Sequence, residues 1–112
     1  MQVARAGALV VRYRIVPAAE ADTPSPLQVG FATGRHLRTK PARNRIKRVM
    51  REVVRAHQHD LVDLFADRPG TLTLMVLYRG GRPGAEDAVL RDLPRLLDQV
   101  AHEVSSESRA GA

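Results

Sequence analysis

The residues best suited to chemistry are the basic ones between Arg35 and Arg55. Nine basic residues lie in this stretch against one acid, Glu52, so its net charge is +8, whereas the whole chain carries +6. The rest of the chain is therefore slightly acidic. Guanidinium and ammonium groups at this density bind phosphate, and arginine can also stack on an exposed base. The charge distribution predicts a polyanionic partner that binds one short region of the chain.

A helix over residues 42–57 would separate these charges from an apolar side. At 100° per residue, an apolar face and a basic face fall on opposite sides of such a helix. One edge of the basic face follows the spacing i, i+4, i+7, i+11, which lines side chains up along a helix and can follow a phosphate backbone. The apolar face comprises Ile46, Val49, Met50, Val53, Val54 and Ala56, and the edge comprises Asn44, Arg48, Arg51 and Arg55.

Residues that would perform a reaction themselves are harder to find. The chain has no cysteine, which excludes disulfides and thiolate metal sites. His57 and His59 are two residues apart and would point to different sides of a helix, without clustered carboxylates at ligand spacing. The sequence pattern shows no candidate nucleophile with an associated general base. We therefore predict neither a catalytic residue nor a metal site in this chain.

Two strands are predicted before the basic helix. Residues 9–16 and 27–33 alternate between apolar side chains and polar or small ones, and the proline-containing segment 18–26 between them predicts a loop. We expect the two strands to form an antiparallel hairpin.

The second half of the chain predicts a further turn or two of helix, a strand and a long helix. Residues 71–79 are apolar on both faces, which favours a central strand. The last helix covers residues 86–104, with two alternatives left open by Pro94: a kink, or a start near Asp92. The order predicts an α+β fold, a two-layer sandwich of helices on a sheet, as one domain over residues 1–104 with a flexible tail at 105–112.

The segment from Arg43 to Glu52, Arg-Asn-Arg-Ile-Lys-Arg-Val-Met-Arg-Glu, resembles the RNR motif of the bacterial ribonuclease P protein family. A strand similar to that family's second one, Leu27-Gln28-Val29-Gly30-Phe31, lies upstream at the usual spacing. Two departures stand out. An additional amino-terminal basic helix is absent or reduced to residues 1–7, and Arg38-Thr39-Lys40-Pro41 replaces a Gly-Asn-Ala-Val stretch.

The resemblance implies an α-β sandwich with a left-handed crossover between parallel strands, although such crossovers are right-handed in ~98% of cases. It implies a cytoplasmic, non-catalytic subunit of an endoribonuclease, in which a catalytic RNA holds most of the Mg²⁺ and removes the 5′ leader of precursor tRNA. The residues expected to bind that RNA are Lys40, Arg43, Asn44, Arg45, Lys47, Arg48, Arg51 and Arg55. The residues that could contact the leader are Phe31, Arg12 and Arg14.

Three other classes of protein are weighed against this one. A structural RNA-binding protein of the ribosomal type shares the size and charge but does not need this motif. A DNA-binding regulator would use a helix in the major groove, and no helix-turn-helix spacing is evident. A membrane partner is not expected, because no apolar run approaches the ~20 residues that span a bilayer and a core is available to cover the apolar face of the basic helix.

Overall fold

The structure is a computed structural model that describes residues 2–17, 26–65 and 70–110. The predicted loop therefore lies almost entirely outside the described residues. The elements within them are β1 (Gln2–Ala6), β2 (Leu9–Val16), β3 (Leu27–Thr33), α1 (Lys40–His57), α2 (His59–Phe65), β4 (Thr71–Tyr78) and α3 (Ala85–Ala110).

The strands form one mixed sheet in the order β1-β2-β4-β3. Strand β4 is antiparallel to β2, from Leu9 opposite Tyr78 to Val16 opposite Thr71, and parallel to β3. The central place predicted for β4 is confirmed. The predicted hairpin between β2 and β3 is wrong, because β4 lies between them. Alternation along a strand indicates which face is buried, but it does not identify the neighbouring strand.

Strand β1 was not predicted. Residues 2–6 pair with β2 through a tight turn at Gly7 and Ala8, and Gly7 has the positive φ of 57° that such turns favour. This strand is only five residues long and has few β-branched side chains, so its sequence gives a weak strand signal. The stretch considered as the remnant of an amino-terminal helix is thus an edge strand.

All three helices lie on one face of the sheet, which gives the two-layer α+β sandwich predicted from the sequence. Alternate residues of β2 and β4 point into a single buried cluster with the apolar faces of α1 and α3. The parallel β3 and β4 are joined through α1 and α2. The left hand of that crossover stays a prediction. The main contributors to the cluster are Leu9, Val11, Tyr13, Ile46, Met50, Val54, Leu72, Val76, Leu93, Leu96 and Val100.

Helix α3 is longer than predicted. It begins at Ala85, passes Pro94 and continues to Ala110, so a start near Asp92 is wrong. The helix also extends past Val104, where the domain was predicted to end, and the flexibility of the last residues stays a prediction. Within the part of the chain that the structure describes, no helix is both long enough and apolar enough to cross a membrane.

Candidate nucleic-acid interface

Helix α1 carries the predicted basic residues on its solvent-facing side. Thr39 caps the helix, since its side chain accepts a hydrogen bond from the Ala42 amide at 3.3 Å, and Pro41 lies in the first turn, where its missing N–H costs nothing. The buried face packs towards the sheet and α3. We call the opposite side the basic face of α1: Lys40, Arg43, Asn44, Arg45, Lys47, Arg48, Arg51 and Arg55, all exposed except the half-buried Lys47.

The predicted apolar face is confirmed at most positions. Ile46, Met50, Val53 and Val54 are buried, and Val49 is half-buried at the margin. Ala56 was placed on this face wrongly, for it is exposed near the end of the helix. Because the apolar side is fixed in the core, the basic face is held in one orientation.

On the margin near β3, the basic side chains have no carboxylate partner among the described residues. The guanidinium of Arg51 lies over the ring of Phe31, 5.6 Å from its centroid. Arg43 donates from Nε to the carbonyl of Thr39 at 3.4 Å and from Nη2 to the carbonyl of Arg38 at 3.3 Å. Their positive charge is therefore oriented without being neutralised, which suits phosphate binding.

On the margin near α3, the arginines are paired with acids. Arg45 donates from Nε to a carboxylate oxygen of Glu86, in the first turn of α3. Arg48 pairs with Glu52 one turn along α1, with the Nε–Oε1 distance 3.5 Å. The hydrogen bond from Arg45 lowers the pKa of Glu86. The helical spacing predicts that Glu52 pairs with Arg48 or Arg55, and the structure shows the pair with Arg48. Glu86 was not predicted, because its partner lies on another helix.

These pairs line a groove between the two helices, the α1–α3 groove. Its volume is about 500 Å³. Its lining residues are Asn44, Arg45, Arg48, Val49, Glu52, Glu86 and Leu90.

The three residues predicted to contact a leader do not share a surface. Arg12 lies opposite Met75, which is also opposite Gly30, so these residues form a row on the sheet face away from the helices. Phe31 belongs to the next row and points to the helical side, where it packs against the core. Arg12 and Arg14 are together, whereas Phe31 is separated from them by the sheet.

The sheet face away from the helices, here the outer face, has a further arginine that sequence reasoning missed. Arg5 of β1 pairs with Val10, and the preceding outer-face residue, Val3, pairs with Arg12. Arg5 is exposed. Only recognition of β1 as a strand would have placed it beside Arg12.

The described residues contain no group of three or more histidine or acidic side chains that could hold a metal ion. The chemistry that this arrangement offers is the binding of anionic and planar groups, by α1 on one side and by the outer face on the other.

Comparison with protein families decides which polyanion is relevant. The family model described as Ribonuclease P matches residues 1–101, from β1 into α3. The chain belongs to the ribonuclease P family. It is a ribonuclease P protein, an RNA-binding component of an endoribonuclease complex in tRNA processing. Comparisons with curated proteins and with solved structures gave no match.

For a ribonuclease P protein, the positions of the two charged surfaces are informative. The RNR-like segment predicted from Arg43 to Glu52 lies within α1, inside the matched region. Its basic side chains and the arginines of the outer face are on opposite sides of the sandwich. The two surfaces can therefore contact different RNA segments at the same time.

Proposed function

We propose that this ribonuclease P protein binds the catalytic RNA of the complex through the basic face of α1 and helps it to remove the 5′ leader from precursor tRNA. The observation that carries the proposal is the exposed basic face itself, whose margin near β3 has arginines held by carbonyls and an aromatic ring instead of by acids. Such side chains can bind phosphate without first breaking an ion pair.

The chemical step is assigned to the RNA. In this proposal the RNA holds most of the Mg²⁺ and activates the water that attacks the phosphodiester bond. The protein contributes affinity: each phosphate that it neutralises releases condensed counterions, which favours association.

The leader is assigned to the outer face of the sheet. Arg12 and Arg14 are two residues apart on one strand, about 7 Å along it, so an extended RNA strand can contact both. A groove of about 360 Å³ runs beside them, lined in part by Thr73 and Met75. Arg5 extends the surface onto β1. Phe31, on the other side of the sheet, is better placed to support Arg51 than to contact the same RNA segment.

The test is cleavage of a precursor tRNA with a 5′ leader by a bacterial ribonuclease P RNA at low Mg²⁺, with and without this protein. We expect faster cleavage at the mature 5′ end when the protein is present, and loss of that effect in the double variant R43E/R51E. Tight RNA binding by the wild-type protein without faster cleavage, using several bacterial RNAs, would instead favour a structural RNA-binding protein.

A further inference from the structure

The α1–α3 groove differs in charge from the rest of the basic face. Two arginines and two glutamates line it, so its formal charge is zero, whereas Lys40, Arg43, Lys47, Arg51 and Arg55 have no acid within ion-pair distance among the described residues. A phosphate entering the groove would be attracted by the arginines and repelled by the glutamates at similar range. The groove is therefore a poor phosphate site on an otherwise phosphate-binding helix.

The guanidinium of Arg45 is held in this groove through one of its three nitrogens. Its Nε donates to Glu86, while its side chain remains 72% exposed and its two amino groups donate to no described residue. Glu86 is 37% exposed and lies in the first turn of α3, where a carboxylate is also stabilised by the helix dipole. The guanidinium is thus fixed in direction with its remaining donors directed to solvent.

The groove also has an apolar wall. Leu90 of α3 is 55% exposed, more than any other large apolar side chain that the structure places on the surface. Val49 is half-buried beside it, and the amide of Asn44 can both donate and accept hydrogen bonds. A single exposed leucine is ordinary on a protein surface, but one that lies beside fixed polar groups in a groove offers an apolar surface on which a planar ring can pack.

We propose that the α1–α3 groove binds one unstacked nucleobase of the RNA that α1 contacts, with Glu86 as the residue that positions Arg45. This rests on the proposed binding of RNA by α1. A base carries donors and acceptors on its edge and has no charge, so it can use the amide of Asn44, the amino groups of Arg45 and a glutamate oxygen together. Its ring lies against Leu90.

The test measures binding of a bacterial ribonuclease P RNA to four variants of the full chain over a range of salt concentrations. E86Q removes the ion pair with Arg45, and L90A removes the apolar wall. D87N is the matched control for charge: Asp87 lies in the same first turn of α3 as Glu86 but does not line the groove. V3A is the control for truncation of an exposed apolar residue, on the outer face.

We expect E86Q and L90A to bind the RNA about five- to tenfold more weakly, with the same slope of log K against log salt, since a base contact releases no counterions. V3A should bind the RNA as the wild type does. D87N should bind it equally well or slightly more tightly, because this substitution removes one negative charge. Thermal unfolding of each variant establishes that the fold is retained.

The sign of the E86Q effect is decisive, because simple charge attraction predicts tighter binding to RNA when an acid is removed. Binding of E86Q equal to or tighter than that of D87N would overturn the positioning role. An unchanged affinity for L90A, or a salt slope reduced by about one in either variant, would overturn the base site. Stimulation of cleavage by the wild-type protein tests the proposed function separately, so failure of one is distinguishable from failure of the other.

Discussion

The arginines of α1 differ in the kind of group that each guanidinium contacts within the protein. Arg45 and Arg48 are paired with carboxylates, whereas Arg43 is held by backbone carbonyls and Arg51 by an aromatic ring. A carbonyl orients a guanidinium without cancelling its charge. All four residues are predicted from the sequence to bind the RNA, but the structure gives them different capacities for phosphate.

Replacing Arg43 by alanine should weaken binding of the catalytic RNA and lower the slope of log K against log salt by about one, because one phosphate contact is lost. Binding titrations at several salt concentrations measure both quantities. R95A is the control, for Arg95 is exposed on α3 and lies outside the basic face. If the slope of log K against log salt for R43A equals that for R95A, Arg43 does not bind a phosphate.

Phe31 has a role that does not require the leader. It is half-buried against the core cluster and lies under Arg51. Cation–π contacts at exposed sites are worth about 0.5–1 kcal/mol, enough to restrict a long side chain. We infer that this ring supports the basic face of α1.

At the scale of elements, a buried tyrosine joins β2 to the last turns of α3. The hydroxyl of Tyr13 donates to Glu103, which also accepts from Gln99 at 3.1 Å. The hydrogen bond from Tyr13, with a smaller contribution from Gln99, lowers the pKa of Glu103. The contact holds α3 against the strand far along the helix from Glu86.

This link should make stability depend on pH in the acid range. Because the pKa of Glu103 is lowered in the folded state, its contribution is present above the ordinary value of about 4.3 and is lost as the pH falls through the lowered one. We expect Y13F to lose about 1 kcal/mol of unfolding free energy at pH 6 and progressively less below pH 4. Urea unfolding across this range measures the difference.

Tyr78 provides the control, since its hydroxyl donates to the carbonyl of Gly81, a group that does not titrate. The stability difference between wild type and Y78F should stay constant from pH 6 to pH 3. If Y13F shows the same constant difference, Glu103 is not the titrating partner of Tyr13.

The sequence was most informative where one local pattern determines one element. The 3.6-residue period of α1 and the doubly apolar run of β4 predicted a basic helix and a central strand correctly. Strand partners, β1 and Glu86 could not be predicted in this way. The strand partners and the role of Glu86 depend on which distant segment lies alongside, and a pattern within one segment carries little information about that. Strand β1 is adjacent to β2 but is too short and has too few β-branched residues to show a clear pattern.

At the scale of the whole molecule, the core separates the two charged surfaces. The basic face of α1 is on the helical side and Arg12 is on the outer face of the sheet. Substitutions on surfaces this far apart, with no shared partners, usually act additively. The effects of substitutions on the two surfaces should therefore be distinguishable by using different RNAs as ligands.

R12A should bind precursor tRNA about three- to tenfold more weakly in the complex with the catalytic RNA, because a leader contact is lost. Its affinity for mature tRNA in that complex, and for the catalytic RNA alone, should match the wild type. R43A is the counterpart, with weaker binding of the catalytic RNA itself. If R12A loses equal affinity for precursor tRNA and for mature tRNA, the leader binds elsewhere.

The central position of β4 also constrains the order in which a newly made chain can fold. The β1–β2 hairpin closes locally, but among the described strands β3 pairs only with β4, which is made after α1 and α2. Until then α1 lacks the central strand of the sheet and all of α3, on which its apolar face rests, and most of the stability of a helix in a protein comes from packing of its amphipathic face. Non-local pairing of this kind is slow compared with helix formation. The growing chain thus acquires an ordered RNA-binding surface only after β4 and α3 have been synthesised.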